Sequence, residues 1–179
     1  MTAGAEPPVV LFINGTVGVG KSTTADTVGL LLAERGVPHA VIDLDAVRRA
    51  WPAPAGDPFN NRLEVENLRA LAANYWRAGA RRLVLAGVLE QPELRERYAS
   101  AVGAPLAVVR VRVDVATIRE RLRRRHVDDA DALGWHLHRC GELHSVLEAA
   151  GADDAVVDAT DLDRRQVAEA VLEAAGWAR

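Results

Sequence analysis

The stretch that most constrains this chain is a glycine-rich loop near its amino end. It reads G-x-x-x-x-G-K-S and consists of Gly15, Thr16, Val17, Gly18, Val19, Gly20, Lys21 and Ser22. An apolar, β-branched run precedes it at residues 9–13, and a helical pattern follows it and ends at Gly36. A buried strand, this loop and a helix, in that order, predict a phosphate-binding P-loop.

The residue types of the loop suit a nucleoside triphosphate. Glycines let backbone N–H groups turn inward around phosphate oxygens, and the following helix adds its positive amino end. We expect Lys21 to reach the β- and γ-phosphates, Ser22 to offer its hydroxyl to Mg²⁺, and Thr23 to join the nucleotide site. Lys21 is the only lysine among the 22 lysine and arginine residues. This strengthens the prediction, because a compact ammonium fits between phosphate oxygens where a planar guanidinium would not.

Composition narrows the class of protein and its partners. A chain of 179 residues, 49% of them hydrophobic, predicts one domain, at residues 9–179, after a short disordered lead at residues 1–8. The net charge of −3 argues against nucleic-acid binding by bulk electrostatics. The sequence shows neither a membrane-spanning apolar run nor a signal peptide. The single Cys140 fits a reducing cytoplasm. We therefore expect a cytoplasmic monomer or homodimer that binds a small molecule and contacts neither nucleic acid nor membrane.

Strands and helices alternate along the chain. Apolar runs that predict strands occur at residues 9–13, 39–42, 82–88, 107–113 and 155–157, with helical patterns between them. This alternation predicts an α/β fold of three layers, in which helices cover both faces of a parallel sheet. The third run ends in Ala86-Gly87 rather than in the acid of a Walker B strand. That departure argues against a switch GTPase or a mechanical ATPase.

Two acids follow the second predicted strand. If the backbone stays extended through Asp43, Leu44 and Asp45, both carboxylates point to one face. They also lie at the carboxyl end of a strand, where ligands bind in open α/β sheets. One could act as a general base or bind Mg²⁺, and the other could hold a substrate hydroxyl. The alternative is that one of them only caps the helix that begins near Ala46.

Arginines supply the candidate anion contacts. Arg48 and Arg62 flank a loop rich in proline and glycine and are candidates for binding the acceptor. Residues 119–139 are typical of the lid of a phosphoryl-transfer enzyme, in which Arg121 and Arg125 share one helical face. We expect one or two arginines, from Arg121, Arg125 and Arg139, to stabilise the transferring phosphoryl group.

A metal-binding interpretation of the same region is disfavoured. His136 and His138 stand two positions apart and do not share a helical face, so with Cys140 they make a poor zinc site. An amphipathic helix over residues 131–149 is the simpler interpretation.

Taken together, these features resemble one family. The P-loop, the Asp43-x-Asp45 pair, Ala86-Gly87, the arginine-rich lid and a last strand that runs into Asp158-Ala159-Thr160 are similar to the small P-loop kinases. These include shikimate kinase, gluconate kinase and the chloramphenicol phosphotransferases. The resemblance implies a five-stranded parallel sheet of order 2-3-1-4-5 with a helical lid, and MgATP as phosphoryl donor.

The resemblance also implies roles for individual residues. Asp43 and Asp45 match the acids that meet Mg²⁺ and the acceptor hydroxyl, and Arg121 matches the arginine that lies over adenine. Asp158 and Thr160 match the loop beside the base. Gly87 matches the glycine at the substrate end of the third strand. In shikimate kinase that glycine belongs to a run, whereas here it stands alone, so the resemblance leaves the acceptor open.

The sequence thus predicts an ATP-dependent phosphotransferase that phosphorylates a hydroxyl of a small molecule. We favour Asp43 as the base and, through water, as a residue that holds Mg²⁺ together with Ser22, and Asp45 as the substrate contact. One alternative is a nucleoside or nucleoside-monophosphate kinase, which would need Arg48 and Arg62 at the acceptor phosphate. The other is a non-catalytic, ATP-binding regulatory module.

Overall fold

A computed structural model describes residues 9–178 of the chain. The lead predicted for residues 1–8 lies outside the described residues. The strands are β1 (Val10–Asn14), β2 (His39–Asp43), β3 (Arg82–Ala86), β4 (Leu106–Arg112) and β5 (Ala155–Asp158). The helices are α1 (Lys21–Glu34), α2 (Leu44–Val47), α3 (Asn61–Arg77), α4 (Pro92–Val102), α5 (Val115–Arg125), α6 (Ala130–Ala150) and α7 (Arg164–Ala174).

The five strands form one parallel sheet in the order β2-β3-β1-β4-β5. β1 lies at the centre, and all five of its residues are buried. Because the strands are parallel, their carboxyl ends meet at one edge, and the loops after β1, β2 and β3 lie next to one another there. The predicted α/β fold and strand order are confirmed.

Helices cover both faces of the sheet. On one face, β1, β3 and β4 pack Leu11, Val84 and Val109 against α1, α5 and α7. On the other face, Phe12 and Leu85 pack against α2, α3 and α4. Successive side chains of each strand therefore point to opposite faces of the sheet and contribute to two separate hydrophobic cores, as a three-layer fold requires. No helix of the described range is long and apolar enough to cross a membrane.

Local signals set several of the helix boundaries. The side chain of Asp114 accepts a hydrogen bond from the Thr117 amide at 2.9 Å and caps α5. Asp163 caps α7 in the same manner and forms a capping box with Gln166. Gly36, with φ +67°, follows the end of α1 as the sequence indicates. Caps of this kind satisfy amides that the first turn of a helix leaves without partners.

The third strand is shorter than predicted. It ends at Ala86 rather than Val88, because the backbone N–H and C=O of Leu89 bond to the side chain of Asn14. Asn14 is fully buried and also donates to Asp153 at 2.7 Å. The chain therefore leaves the sheet after Ala86 and turns along the start of the P-loop.

The region predicted as a lid consists of two helices. Residues 119–139 cover the end of α5, a break at residues 126–129, and the first half of α6. At the break, the rings of His126 and His136 stack with centroids 4.5 Å apart, and Trp135 meets His136 edge-on. His136 thus packs against the segment that joins the two helices, which the spacing to His138 does not reveal.

Two helical glycines give a matched test of this packing. An added Cβ at Gly29 in α1 would lie 2.9 Å from a methyl group of Val41 in β2, whereas one at Gly134 in α6 would meet open space. We expect Gly134→Ala to raise the free energy of unfolding by about 0.5–1 kcal/mol through helix propensity. Gly29→Ala should lower it by about 1–2 kcal/mol, because overpacking outweighs the same gain. Urea unfolding followed by circular dichroism measures both, and a stabilised Gly29→Ala would contradict the packing.

Candidate active site

The P-loop turns between β1 and α1 in a conformation that only glycine accommodates at two points. Gly15 has φ +150°, and an added Cβ there would lie 2.7 Å from the carbonyl oxygen of Val111. At Gly18, with φ +80°, it would lie 3.0 Å from the side chain of Leu122. The loop is thus pressed against β4 and α5, and its amides are left to face the opposite side.

The lid helices hold the same loop from outside. The Thr16 hydroxyl donates to the carbonyl oxygen of Cys140 in α6 at 3.1 Å. The Arg121 guanidinium of α5 donates to the carbonyl oxygen of Val19 at 3.3 Å. These two bonds fasten the loop to α5 and α6 at both Thr16 and Val19.

Lys21 opens α1 and is almost fully buried, with 8% of its surface exposed. Its Nζ donates to the carbonyl oxygen of Thr16 at 3.1 Å, which bends the side chain back over the loop. Burial lowers the pKa of this amine from 10.5 to about 8, and the charges of Asp45 and Asp43 oppose that shift. Because burial destabilises the charged form of this amine, a bound anion such as phosphate would stabilise it strongly.

Ser22 and Asp43 meet at the mouth of the cleft. The Ser22 hydroxyl donates to Oδ2 of Asp43 at 2.6 Å. The other carboxylate oxygen of Asp43 accepts from the amides of Asp45 and Ala46 at 2.9 and 3.3 Å. Asp43 therefore caps α2 and holds Ser22 at the same time.

The backbone does not stay extended through residues 43–45, and Asp43 caps a helix there, as the alternative interpretation has it for one of the two acids. α2 begins at Leu44 because the Asp43 cap satisfies its first amides. Asp45 consequently lies in the first turn of a helix, which explains why it does not stack beside Asp43 as in a strand. Both carboxylates nevertheless face the same cleft.

The cleft over the P-loop has a volume of about 780 Å³. Its walls come from the P-loop, α2, α5 and the start of α7. The side chains predicted for the site that line it are those of Val17, Val19, Lys21, Ser22, Thr23, Asp43, Asp45, Arg121 and Arg125, with Gly18 and Gly20 contributing backbone. The structure therefore brings together the loop, the two acids and two of the three predicted lid arginines.

Eight residues that the sequence analysis did not assign to the site line the same cleft. They are Thr24, Arg49, Val111, Leu122, Ala159, Leu162, Arg164 and Val167. Arg49 follows the predicted Arg48 in the segment after α2, and of the two only Arg49 lines the cleft. Ala159 and Leu162 lie in and just after the turn that the resemblance singled out. The signal was present there, but it pointed to the neighbouring polar residues.

The polar residues of that turn bond to the protein instead. Asp158 accepts from the hydroxyl and the amide of Thr160 at 2.7 and 3.1 Å and pairs with Arg112 at 3.0 Å. These bonds lower the pKa of the Asp158 carboxyl below its usual value. The Thr160 hydroxyl also accepts from the amide of Asp114. Asp158 and Thr160 therefore shape the turn, and the apolar side chains beside them face the cleft.

Other predicted site residues lie outside this cleft. Arg48 pairs with Asp45 and, at 3.3 Å, with Glu64. Arg62 is exposed at the start of α3. Arg139 pairs with Glu90 at 2.5 Å and with Glu142 at 2.8 Å.

Gly87 has a packing role in this structure. A Cβ there would lie 2.6 Å from Leu44 and 3.0 Å from Phe12, so the glycine allows α2 to approach the end of β3. It keeps the acids of β2 and α2 close to the sheet edge.

The described residues contain no group of three or more His, Cys, Asp or Glu side chains that could hold a metal ion by themselves. Cys140 is buried and bonds to a carbonyl oxygen of its own helix. A cation at this cleft would accordingly rely on few protein oxygens and on substrate phosphates, which is the coordination that Mg²⁺ favours.

The sheet order and the loop between β1 and α1 define a P-loop nucleotide-binding protein. The model of the AAA domain family matches residues 10–149, and the chain belongs to that family. It is 35% identical over 129 residues to an adenylyl-sulfate kinase of Paraburkholderia xenovorans (strain LB400), covering 64% of this chain and 69% of that one.

Solved structures share the fold at lower identity. The Deinococcus radiodurans tunicamycin resistance protein superposes with a TM-score of 0.63 and 24% identity, over 93% of this chain and 95% of that chain. Shikimate kinase from Acinetobacter baumannii superposes with a TM-score of 0.63 and 17% identity, over 94% and 92%. Family, relative and P-loop agree on an ATP-dependent phosphotransferase, and the resemblance to the small P-loop kinases is confirmed.

The buried ammonium makes nucleotide affinity depend on pH. With a pKa of about 8 in the free protein, Lys21 loses its proton as the pH rises above that value. We expect the affinity for MgATP to fall by up to about tenfold per pH unit above pH 8, until the pKa of the bound form is reached. Calorimetric titration between about pH 7 and pH 9.5 measures this.

Lys21→Arg is the matched control. A guanidinium stays protonated over this range, so the variant should bind more weakly at pH 7 but show no comparable fall. A wild-type affinity that stays constant up to pH 9.5, or an equal fall in both proteins, would contradict the assignment to Lys21.

Proposed function

We propose that this protein transfers the γ-phosphoryl group of ATP to a hydroxyl of a small molecule, with Mg²⁺ as the metal ion. The observation that supports this most directly is the contact between Ser22 and Asp43 beside the buried Lys21. It joins the start of α1 to the end of β2, at the sheet edge where parallel α/β proteins bind their ligands.

The residues at that contact suit Mg²⁺. Ser22 and Asp43 offer hard oxygen donors, and both residues line the cleft. Ser22 would hold the ion directly and Asp43 through water. When bound, the ion would neutralise charge on the transferring phosphates.

Lys21 and the loop amides bind the β- and γ-phosphates of ATP, and the turn at Ala159 and Leu162 receives the base. Arg121 and Arg125 of α5 also line the cleft, and within the described chain neither is paired with a carboxylate. They are available to stabilise the negative charge of the transition state. Catalysis of this kind rests on positioning and charge stabilisation, since the protein forms no covalent bond.

The geometry supports Asp45, rather than Asp43, as the base. Both oxygens of Asp43 are engaged by Ser22 and the α2 amides. Asp45 lines the cleft, its side chain is 52% exposed, and Arg48 orients it. As the acceptor oxygen bonds to the γ-phosphorus, the bond to the β,γ-bridging oxygen breaks, ADP leaves, and the acceptor proton passes to Asp45.

Other features agree with a small-molecule enzyme of the cytoplasm. A net charge of −3 does not favour a nucleic-acid partner. The buried free thiol of Cys140 is stable in a reducing compartment. The acceptor is then a metabolite or another small hydroxylated compound.

Substitution of the two acids separates their roles. We expect Asp45→Asn to lower kcat by about 10²-fold or more, the usual contribution of a general base, while MgATP affinity stays near the wild-type value. Asp43→Asn should instead weaken MgATP binding and shift the Mg²⁺ dependence of activity to higher concentration. Phosphorylated product detected by mass spectrometry gives kcat, and calorimetry gives affinity.

The control for turnover is Lys21→Ala, which should form no product. An Asp45→Asn enzyme with full kcat would remove Asp45 from the proton transfer. MgATP binding without product, over a broad panel of alcohols, sugar acids and nucleosides, would favour a non-catalytic ATP-binding module.

A further inference from the structure

Arg49 differs in its place from the other arginines that line the P-loop cleft. Arg121 and Arg125 belong to α5 and Arg164 to α7, and these helices follow β4 and β5. Arg49 comes after β2, the strand at the opposite edge of the sheet. Among the described residues, it is therefore the one cleft arginine on the side of the P-loop that carries the two acids.

The side of the cleft formed by β4, α5 and α7 suits the donor base. Its apolar lining consists of Val111, Leu122, Ala159, Leu162 and Val167. A purine ring fits such a wall, and the triphosphate binds the loop amides and Lys21. Under the proposed function the donor thus occupies the cleft from β5 to the P-loop. The side after β2, which holds Arg49 and the proposed base Asp45, is left for the acceptor.

The neighbouring Arg48 has a different role. Its guanidinium pairs with Asp45 and with the buried Glu64, and it does not line the cleft. Arg49 is exposed, and in the described part of the chain its guanidinium forms no ion pair. Because Arg48 already balances the charge of Asp45, the positive charge of Arg49 attracts an anion that enters the cleft beside Asp45.

The backbone that carries Arg49 is held on both sides. The side-chain amide of Asn60 donates to the carbonyl oxygens of Arg48 and Ala50, both at 3.0 Å. Asn60 is itself buried at the start of α3. Its two hydrogen bonds close the loop between α2 and α3 at the position of Arg49. A side chain on a backbone that is fixed in advance loses less conformational entropy when it binds a ligand.

From these contacts we infer that Arg49 binds an anionic group of the acceptor, a phosphate, sulfate or carboxylate on the molecule that carries the reacting hydroxyl. The inference rests on the proposed function and specifies its substrate class as a hydroxylated anion. A guanidinium binds such groups through parallel N–H donors. The transfer step is unchanged, since the acceptor oxygen bonds to the γ-phosphorus, its proton passes to Asp45 and ADP leaves.

A pair of arginine variants and matched acceptors test this inference. The full chain is incubated with MgATP and either sorbitol or gluconate, and either adenosine or AMP, and mass spectrometry detects the gain of one phosphoryl group. In each pair that reacts, we expect the wild type to prefer the anionic member. Arg49→Ala should raise KM for that member by about tenfold or more, as expected for a lost hydrogen bond to a charged group. The KM for MgATP should stay near the wild-type value.

Arg69→Ala is the matched control. Arg69 is exposed on α3 and does not line the cleft, so this variant loses one surface charge and should keep both KM values. A preference for the uncharged acceptor, or an unchanged acceptor KM in Arg49→Ala, would overturn the inference and leave the kinase intact. A rise in the KM for MgATP alone would also overturn it, because Arg49 would then contact the donor phosphates.

A chemical-modification experiment decides the question if no compound reacts. The wild-type chain, saturated with a non-hydrolysable analogue of MgATP, is treated with phenylglyoxal, which modifies guanidinium groups. Peptide mass spectrometry follows Arg49 and Arg69 in sodium sulfate and in sodium chloride of equal ionic strength. We expect sulfate to slow modification of Arg49 at least about twofold, as half-occupancy of a site would, and to leave Arg69 unaffected. An equal effect on both arginines, or none on Arg49, would overturn the inference independently of turnover.

Discussion

The site depends on one buried amide. Asn14, at the end of β1, accepts hydrogen bonds from the amides of Gly15 and Leu89 at 2.9 and 3.0 Å. It donates to the Leu89 carbonyl oxygen and to Asp153, and Asp153 in turn pairs with the buried Arg110 at 2.9 Å. A fully buried amide is stable only when its donors and acceptors are used. The start of the P-loop, the exit from β3 and the turn before β5 are therefore fixed to each other before any ligand binds.

The fold could be predicted from the sequence, whereas parts of the site could not, because they depend on long-range contacts such as those of Asn14. The order of elements and the P-loop follow from local patterns, because strand, loop and helix each have their own periodicity. The exit at Ala86 depends on Asn14, which is 75 residues from Leu89 in sequence. The helix at Leu44 depends on a cap that competes with strand extension, and the sequence presented both possibilities at Asp43. The arginines were the least predictable, since Arg48 and Arg49 are neighbours just after α2 and yet only Arg49 lines the cleft.

Burial gives the two ends of the site opposite electrostatic properties. At the donor end, burial lowers the pKa of Lys21 more than the charges of Asp45 and Asp43 raise it. Arg121 and Arg125 line the same cleft and form no ion pair within the described chain. This end of the cleft therefore favours binding of an anion. At the other end, burial raises the pKa of Glu64, which remains fixed by Tyr98 and Arg48. Here Arg48 is already paired with both Asp45 and Glu64.

At the acceptor end, the site must also select an alcohol over water. Water reaches that end as readily as any alcohol, so discrimination against hydrolysis must come from placing the acceptor oxygen beside Asp45 in line with the γ-phosphorus. Arg48 contributes to this placement by fixing Asp45. Glu64 and Tyr98 in turn fix Arg48. The specificity of transfer therefore depends in part on a buried carboxylate between α3 and α4.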